Sequence, residues 1–277
     1  MKRKLFCQIS PLCYQISLKK EHLKRHILNA VSGIHFASER SEEPLPTIVK
    51  GHSSIIARRL YGVPQYLQEN KATNIRLACE MINGLLIHPG ETFSFWKLIG
   101  KTSARRGFVE GLVIEDNKLV SGVGGGLCQM GNLIHWLVLN SPLTVTELHH
   151  HSDALFPDER RRVPFGTGTS VCYNHIDYRF RNDTDQTVQL LTWIEGGEVC
   201  GELRSERPFP YRYRLVEENH HFRREGEHYY RISQVYRLVI DRQTGEQREK
   251  ELILDNHSLV MYDPALIPKE QIRNEDD

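Results

Sequence analysis

One cysteine in this sequence stands where its surroundings could change its chemistry. Residues 121 to 140 read SGVGGGLCQMGNLIHWLVLN, so Gly124, Gly125 and Gly126 run through Leu127 into Cys128. Leu127, Met130, Ile134, Leu137 and Val138 then recur at helical spacing, and Asn140-Ser141-Pro142 closes the segment. The spacing predicts a helix with Cys128 in its first turn. Unpaired N–H groups and the helix dipole favour an anion there, so the thiol is expected to ionise below its usual value of about 8.5. Gly124, Gly125 and Gly126 carry no β-carbons, and they are expected to let a substrate backbone approach the sulfur. The same N–H groups would serve as an oxyanion hole. A structural reading competes, because cysteine also behaves as a small hydrophobe in cores. A phosphate cradle is the weaker alternative, since "GVGGGL" lacks the Gly-Lys-Ser/Thr of a P-loop and the full dinucleotide fingerprint.

A nucleophilic cysteine needs a base within about 3 Å and a group that orients the base. His135 shares the helical face of Cys128 but lies roughly 10 Å along the axis, too far for a direct hydrogen bond. The stretch TVTELHHHSD, residues 144 to 153, reads as a strand returning alongside the helix. On such a strand His149 and His151 share one face and His150 points the other way. These spacings leave the choice of base open, and Asp153 and Asp177 both stand as orienting carboxylates. No Cys or carboxylate lies at zinc-ligand spacing from the histidines, so no metal and no cofactor is expected. Gln129 either donates to an oxyanion or supports the turn.

The elements that must hold these residues read as α+β. Residues 1 to about 40 look helical and basic, and "SERSEEPLP" is a polar, Pro-punctuated break. Ile75, Ala78, Cys79, Ile82, Leu85 and Leu86 form a helical stripe within residues 67 to 87, ended by His88-Pro89-Gly90. "ETFSFW" alternates like a short half-buried strand. Beyond residue 170 the period becomes two. "IDYRF" is a strand, "QTVQLLTWI" and "VCGEL" flank an "EGGE" turn, and "YYRISQVYRLVI" and "KELILDN" flank a longer loop. The expected fold thus has N-terminal helices, a central helix starting at the GGGLCQ turn, and a mainly antiparallel sheet with hairpins in the C-terminal half. Three regions follow: a basic helical part at 1–65, a central domain at 66–205, and a β-hairpin extension at 206–277. The last residues, "IPKEQIRNEDD", read as frayed.

Composition narrows the functional classes. A net charge of +1 over 277 residues lacks the basic footprint of a nucleic-acid binder. Six scattered cysteines without a CxxC pair argue for reduced thiols rather than a disulfide scaffold. The basic start is not followed by the run of about 7–15 apolar residues of an export signal, so a cytoplasmic location is expected. The cluster from Lys19 to Arg25, with Leu23, Ile27 and Leu28, reads as a solvated helix face or as a basic amphipathic helix at the inner membrane surface.

"NGLLIHPGETFSFWKLIG", "GGGLCQMGNLIHWL", "TELHHHSD" and "IDYRFRNDT" occur in the order and spacing of the vancomycin resistance VanW family, which the sequence resembles over roughly residues 67 to 205. The resemblance implies a protein associated with glycopeptide resistance. Some members are linked to peptidoglycan as cysteine-dependent transpeptidases that form 3–3 crosslinks between stem peptides. By position it implies Cys128 as the attacking thiolate, and the family's "ER..H" stretch falls on Glu147 and His151, making His151 the preferred base. Two departures stand out: Leu148 replaces the arginine expected after Glu147, and Gly168 replaces the aspartate of a "DAT" motif. Asp177 is then the substitute orienting carboxylate. The expected partners are peptidoglycan stem peptides or their precursors. A non-catalytic accessory that binds a cell-wall fragment or a partner protein is the other reading.

Overall fold

A computed structural model describes residues 5–57, 64–115, 118–150, 153–154, 157 and 163–273. The fold is α+β, with the helices in the first half and a large antiparallel sheet in the C-terminal half. In chain order come α1 (Pro11–Val31), β1 (Thr47–Ile55), α2 (Gln65–Ile82), β2 (Leu85–Ile87), β3 (Thr92–Ser94) and α3 (Phe95–Ile99). The hairpin β4 (Glu110–Glu115) and β5 (Lys118–Val123) precedes α4 (Cys128–Leu139), β6 (Thr144–Glu147), β7 (Asp153–Ala154) and β8 (Arg179–Arg181). Then follow β9 (Val188–Glu195), β10 (Glu198–Ser205), β11 (Tyr211–Glu225), β12 (His228–Asp241), β13 (Gln247–Val260) and β14 (Ile272–Arg273).

A sheet in the order β1-β10-β9-β2, antiparallel throughout, carries the central helix. Along β10 the two-residue period of a strand is visible: Val199, Gly201 and Leu203 are buried while Cys200, Glu202 and Arg204 are half-buried. Gly201 lets α4 sit close, because a β-carbon there would lie 3.1 Å from Leu137 and 3.2 Å from Leu133. From α2 the stripe Ile75, Ala78, Cys79 and Ile82 enters the same core, with Phe93, Phe95 and Phe180. Burying each larger side chain contributes roughly 1.5–3 kcal/mol against the entropy of ordering it.

Several elements differ from the sequence expectation for identifiable reasons. The helix expected over 67–87 stops at Ile82, because Gly84 turns at φ +78° and presses against the Ser41 carbonyl. Leu85–Ile87 instead pairs with β9. The strand at "ETFSFW" lasts only to Ser94, whose hydroxyl accepts from the Lys97 N–H and opens α3. The strand expected across residues 144 to 153 ends at Glu147 after a register shift from Val145. His149 and His150 therefore stand on irregular chain, where alternation of faces does not apply, and His151 lies outside the described residues. The "EGGE" hairpin joins β9 to β10 with Gly196 and Gly197 at positive φ. The later hairpin is β12–β13, and β11 extends it into a sheet ordered β14-β11-β12-β13-β7. Residues 274–277, part of the tail read as frayed, are outside the described residues. No disulfide joins the six cysteines, all of which are among the described residues.

Candidate functional site around Cys128

The turn from β5 into α4 is built by packing. Gly124 and Gly126 take φ of +84° and +93°, a region that L side chains seldom enter. Gly125 presses its backbone on β4: a β-carbon there would lie 2.6 Å from the Leu112 nitrogen and closer still to the Gly111 carbonyl. One at Gly124 would meet Thr102 at 2.7 Å, and one at Gly126 would run into the methylenes of Lys71. Close packing against the protein's own atoms thus accounts for the missing β-carbons at the three glycines. Asn74, fully buried on α2, fixes the turn. Its amide donates to the carbonyls of Val109 at 3.0 Å and Gly125 at 2.9 Å, and its side-chain oxygen accepts from the Val109 N–H at 2.9 Å. Gln129 supports the same region from the other side, donating to the Ser54 hydroxyl and the Ile55 carbonyl, both at 2.8 Å. Those bonds occupy its donors, so the geometry favours support of the turn over an oxyanion contact.

Cys128 begins α4, and so stands in its first turn, as the spacing predicted. Burial pushes the pKa up, and three smaller effects oppose it: a backbone hydrogen bond to Val171, the charge of Lys71, and the residue's own N–H. The residue as a whole retains some exposure, yet protein surrounds the sulfur, and for ionisation the surroundings decide. The helix-start effect is present and outweighed. The thiol's hydrogen-bond partner is the Val171 carbonyl at 3.8 Å, and no imidazole bonds it among the described residues.

One chain segment joins this turn to the histidines. Residues 166 to 171 cross the first turns of α4, where the Asn132 side chain accepts from the Thr169 N–H at 2.7 Å and Cys128 meets Val171. The same segment holds the histidine stretch: Ser170 N–H donates to the His149 carbonyl at 2.6 Å, and His150 Nδ1 lies 3.0 Å from the Gly166 carbonyl and 3.2 Å from that of Gly168. A ring nitrogen between carbonyl oxygens must carry a proton, so Nδ1 of His150 donates and the ring orientation is fixed. Gly168, where the family aspartate would stand, thus orients a histidine through its backbone oxygen. Asn132 closes the space beside it, 3.0 Å from where a β-carbon would be.

Glu147 and Asp177 form an ion-pair hub. Arg25 of α1 donates to Glu147 through both terminal nitrogens at 2.6 and 2.7 Å, Arg179 approaches at 3.4 Å, and His149 Nε2 lies 3.2 Å away. Asp177, 1% exposed, accepts from the Ser94 hydroxyl at 2.6 Å, the Trp96 N–H at 3.0 Å and Arg179 Nε at 2.7 Å. Its carboxylate is occupied by α3 and Arg179, and among the described residues it holds no imidazole. The base that Asp177 was expected to orient, His151, lies outside the described residues. Asp153, the other candidate, sits on β7 opposite Leu259. Arg25, Lys71 and Asn74 were missed from the sequence, where each reads as an ordinary polar helix residue.

His135 is a buried spectator. Its Nδ1 lies 3.0 Å from the Tyr178 hydroxyl, and burial, aided by the charge of His150, pushes its pKa down to about 3. Unfolding lets this ring bind a proton near pH 6.5, so its contribution to stability is lost as pH falls below that value. We expect up to about 1.4 kcal/mol per pH unit between pH 6 and 4, measured by denaturant melts, with the slope reduced in His135→Gln.

The candidate site thus centres on a thiol at the start of α4, behind a packed glycine turn on an α+β core. The family model described as VanW like protein matches residues 70–204. The chain is 30% identical to the vancomycin B-type resistance protein VanW of Enterococcus faecalis (strain ATCC 700802 / V583), over 83% of this chain and 84% of that protein. It is 27% identical to the uncharacterized protein YoaR of Bacillus subtilis (strain 168), over 50% of this chain and 44% of that one. No solved structure matches. The chain belongs to the VanW family.

Proposed function

We propose that this chain serves glycopeptide resistance as a cysteine-dependent acyl transferase acting on peptidoglycan stem peptides or their precursors. One observation carries the reading: the segment 166 to 171 bonds both the Cys128 turn and the His149–His150 stretch, so nucleophile and candidate bases converge on one strip of chain. In the reaction, sulfur attacks a peptide carbonyl while its proton passes to an imidazole. That imidazole protonates the leaving amine, and an acceptor amine then displaces sulfur from the thioester and returns a proton. His151, favoured by the family pattern, lies outside the described residues; His150 has its ring already oriented. Since the resting thiol is protonated, attack requires the base to take the proton as substrate arrives.

The accessory reading is favoured by a different observation. The raised thiol pKa and the filled space beside Gly124, Gly125 and Gly126 suit a protein that binds a cell-wall fragment without reacting. Incubation with defined tetrapeptide stems, followed by mass spectrometry, separates the two. Crosslinked dimers that vanish in Cys128→Ser support the transferase; saturable binding without products supports the accessory. The thiol itself gives a second check. An electrophilic probe at pH 7 should label exposed Cys172 before Cys128, whose rate should climb only above its ordinary titration range. Faster labelling of Cys128 at pH 7 would show an activated nucleophile in solution.

A further inference from the structure

The first helix docks on the protein by its polar side and turns its apolar side to solvent. Leu12, Ile16, Leu23 and Ile27 fall within an arc of about 60° on α1, and their exposures run from 49% to 69%. No residue of α1 is buried. The residues that hold it to the rest of the chain are His22, whose carbonyl accepts from Asn174 at 3.1 Å, Arg25 on Glu147, and Asn29, which accepts from Arg179 at 2.8 Å. An ordinary surface helix has the reverse arrangement, with its apolar stripe inward. Leu5, Phe6 and Ile9, just before the helix, add exposed apolar surface of 63%, 54% and 63%.

We infer that this stripe is a docking surface for an anionic lipid bilayer, on which α1 lies flat. Charge selects the occupant. Lys19, Lys20 and Lys24 are exposed beside the stripe, and the single acid of the helix, Glu21, lies 4.0 Å from the Lys24 ammonium. Arg25 is engaged with Glu147, so three ammonium groups rim an apolar strip, a composition suited to the headgroup–acyl boundary of acidic lipids. A second copy of this chain fits poorly. Lys19 and Lys20 stand at the middle of the stripe, so antiparallel two-fold pairing along it would oppose them to the same lysines of the other copy. Among the described residues no helix is long and apolar enough to cross a membrane, which leaves surface binding as the mode for α1.

The inference is independent of what Cys128 does, and Cys128→Ser should bind lipid like the wild type. The test is sedimentation of the full chain with vesicles of phosphatidylcholine containing phosphatidylglycerol, against vesicles of phosphatidylcholine alone. Binding is expected to the acidic vesicles and to fall at high salt. Ile16→Ser with Leu23→Ser should lose at least about tenfold in affinity, and the triple Lys19→Gln, Lys20→Gln, Lys24→Gln should lose on the order of 100-fold. All five positions are exposed, and unchanged circular dichroism keeps the comparison about binding. Absent sedimentation, equal binding to both vesicle types, or variants that bind like the wild type would overturn the inference. So would a concentration-dependent dimer that disappears in the Ile16→Ser, Leu23→Ser variant, which would assign the stripe to a second copy.

Discussion

Glu147→Ala is expected to destabilise the protein by about 3 kcal/mol and lower its melting temperature by roughly 6–12 °C. The carboxylate is 17% exposed and faces Arg25, 20% exposed, and Arg179, 8% exposed. Removing it leaves two guanidinium groups side by side with less counter-charge, costlier than loss of the attraction alone. Burial alone would raise the Glu147 pKa, but hydrogen bonds from Arg25 and His149, with the charges of Arg25 and Arg179, hold it below the ordinary carboxylate value. A depressed folded pKa gives stability that is present above the unfolded value and lost as pH falls through the folded one. Wild type should therefore weaken below about pH 4.5, and Glu147→Ala should weaken less steeply there. Arg25→Ala should cost less than Glu147→Ala, since Arg179 still pairs with both acids. The double variant should then lose less than the sum of the singles. Urea melts of the four proteins check this, and additive losses would mean that solvent screens the Arg25–Glu147 pair.

That hub also shows where sequence reading reaches and where it stops. Periodicity located α4 with Cys128 in its first turn, found the stripe of α2, and placed the β9–β10 hairpin by its paired glycines. Those signals are local, and burial of one face fixes them. What escaped was non-local. β1 is polar along much of its length and becomes a strand because β10 offers a ladder from Thr47–Ser205 to Ile55–Glu198. Arg25 reads as one basic residue among several until the fold brings Glu147 beside it, 122 residues on. The thiol pKa was read from helix position, a local rule, and burial reversed its sign. Strand alternation pointed His150 away from the face of His149 and His151, yet its ring is held by two carbonyls because the strand ends before it. Local rules therefore placed Cys128 at the helix start, and tertiary burial sets the direction of its pKa shift.

Gly125→Ala should be the most damaging single methyl in the central domain. Its β-carbon would enter the backbone of β4, 2.6 Å from the Leu112 nitrogen. Backbone cannot swing aside as a side chain can, so either the β4–β5 hairpin or the start of α4 must move. Either shift also breaks the Asn74 bridge between Val109 and Gly125, leaving a fully buried amide short of partners. Overpacking together with an unsatisfied polar group predicts a loss of at least about 3 kcal/mol. The control is Gly197→Ala, where φ is positive, unlike at Gly125, and nothing lies within 4 Å of the added carbon. Only backbone strain acts there, and about 1 kcal/mol is expected. Parallel denaturant melts compare the two. Equal losses would mean that the turn yields easily, and close packing would then not account for the glycine at position 125.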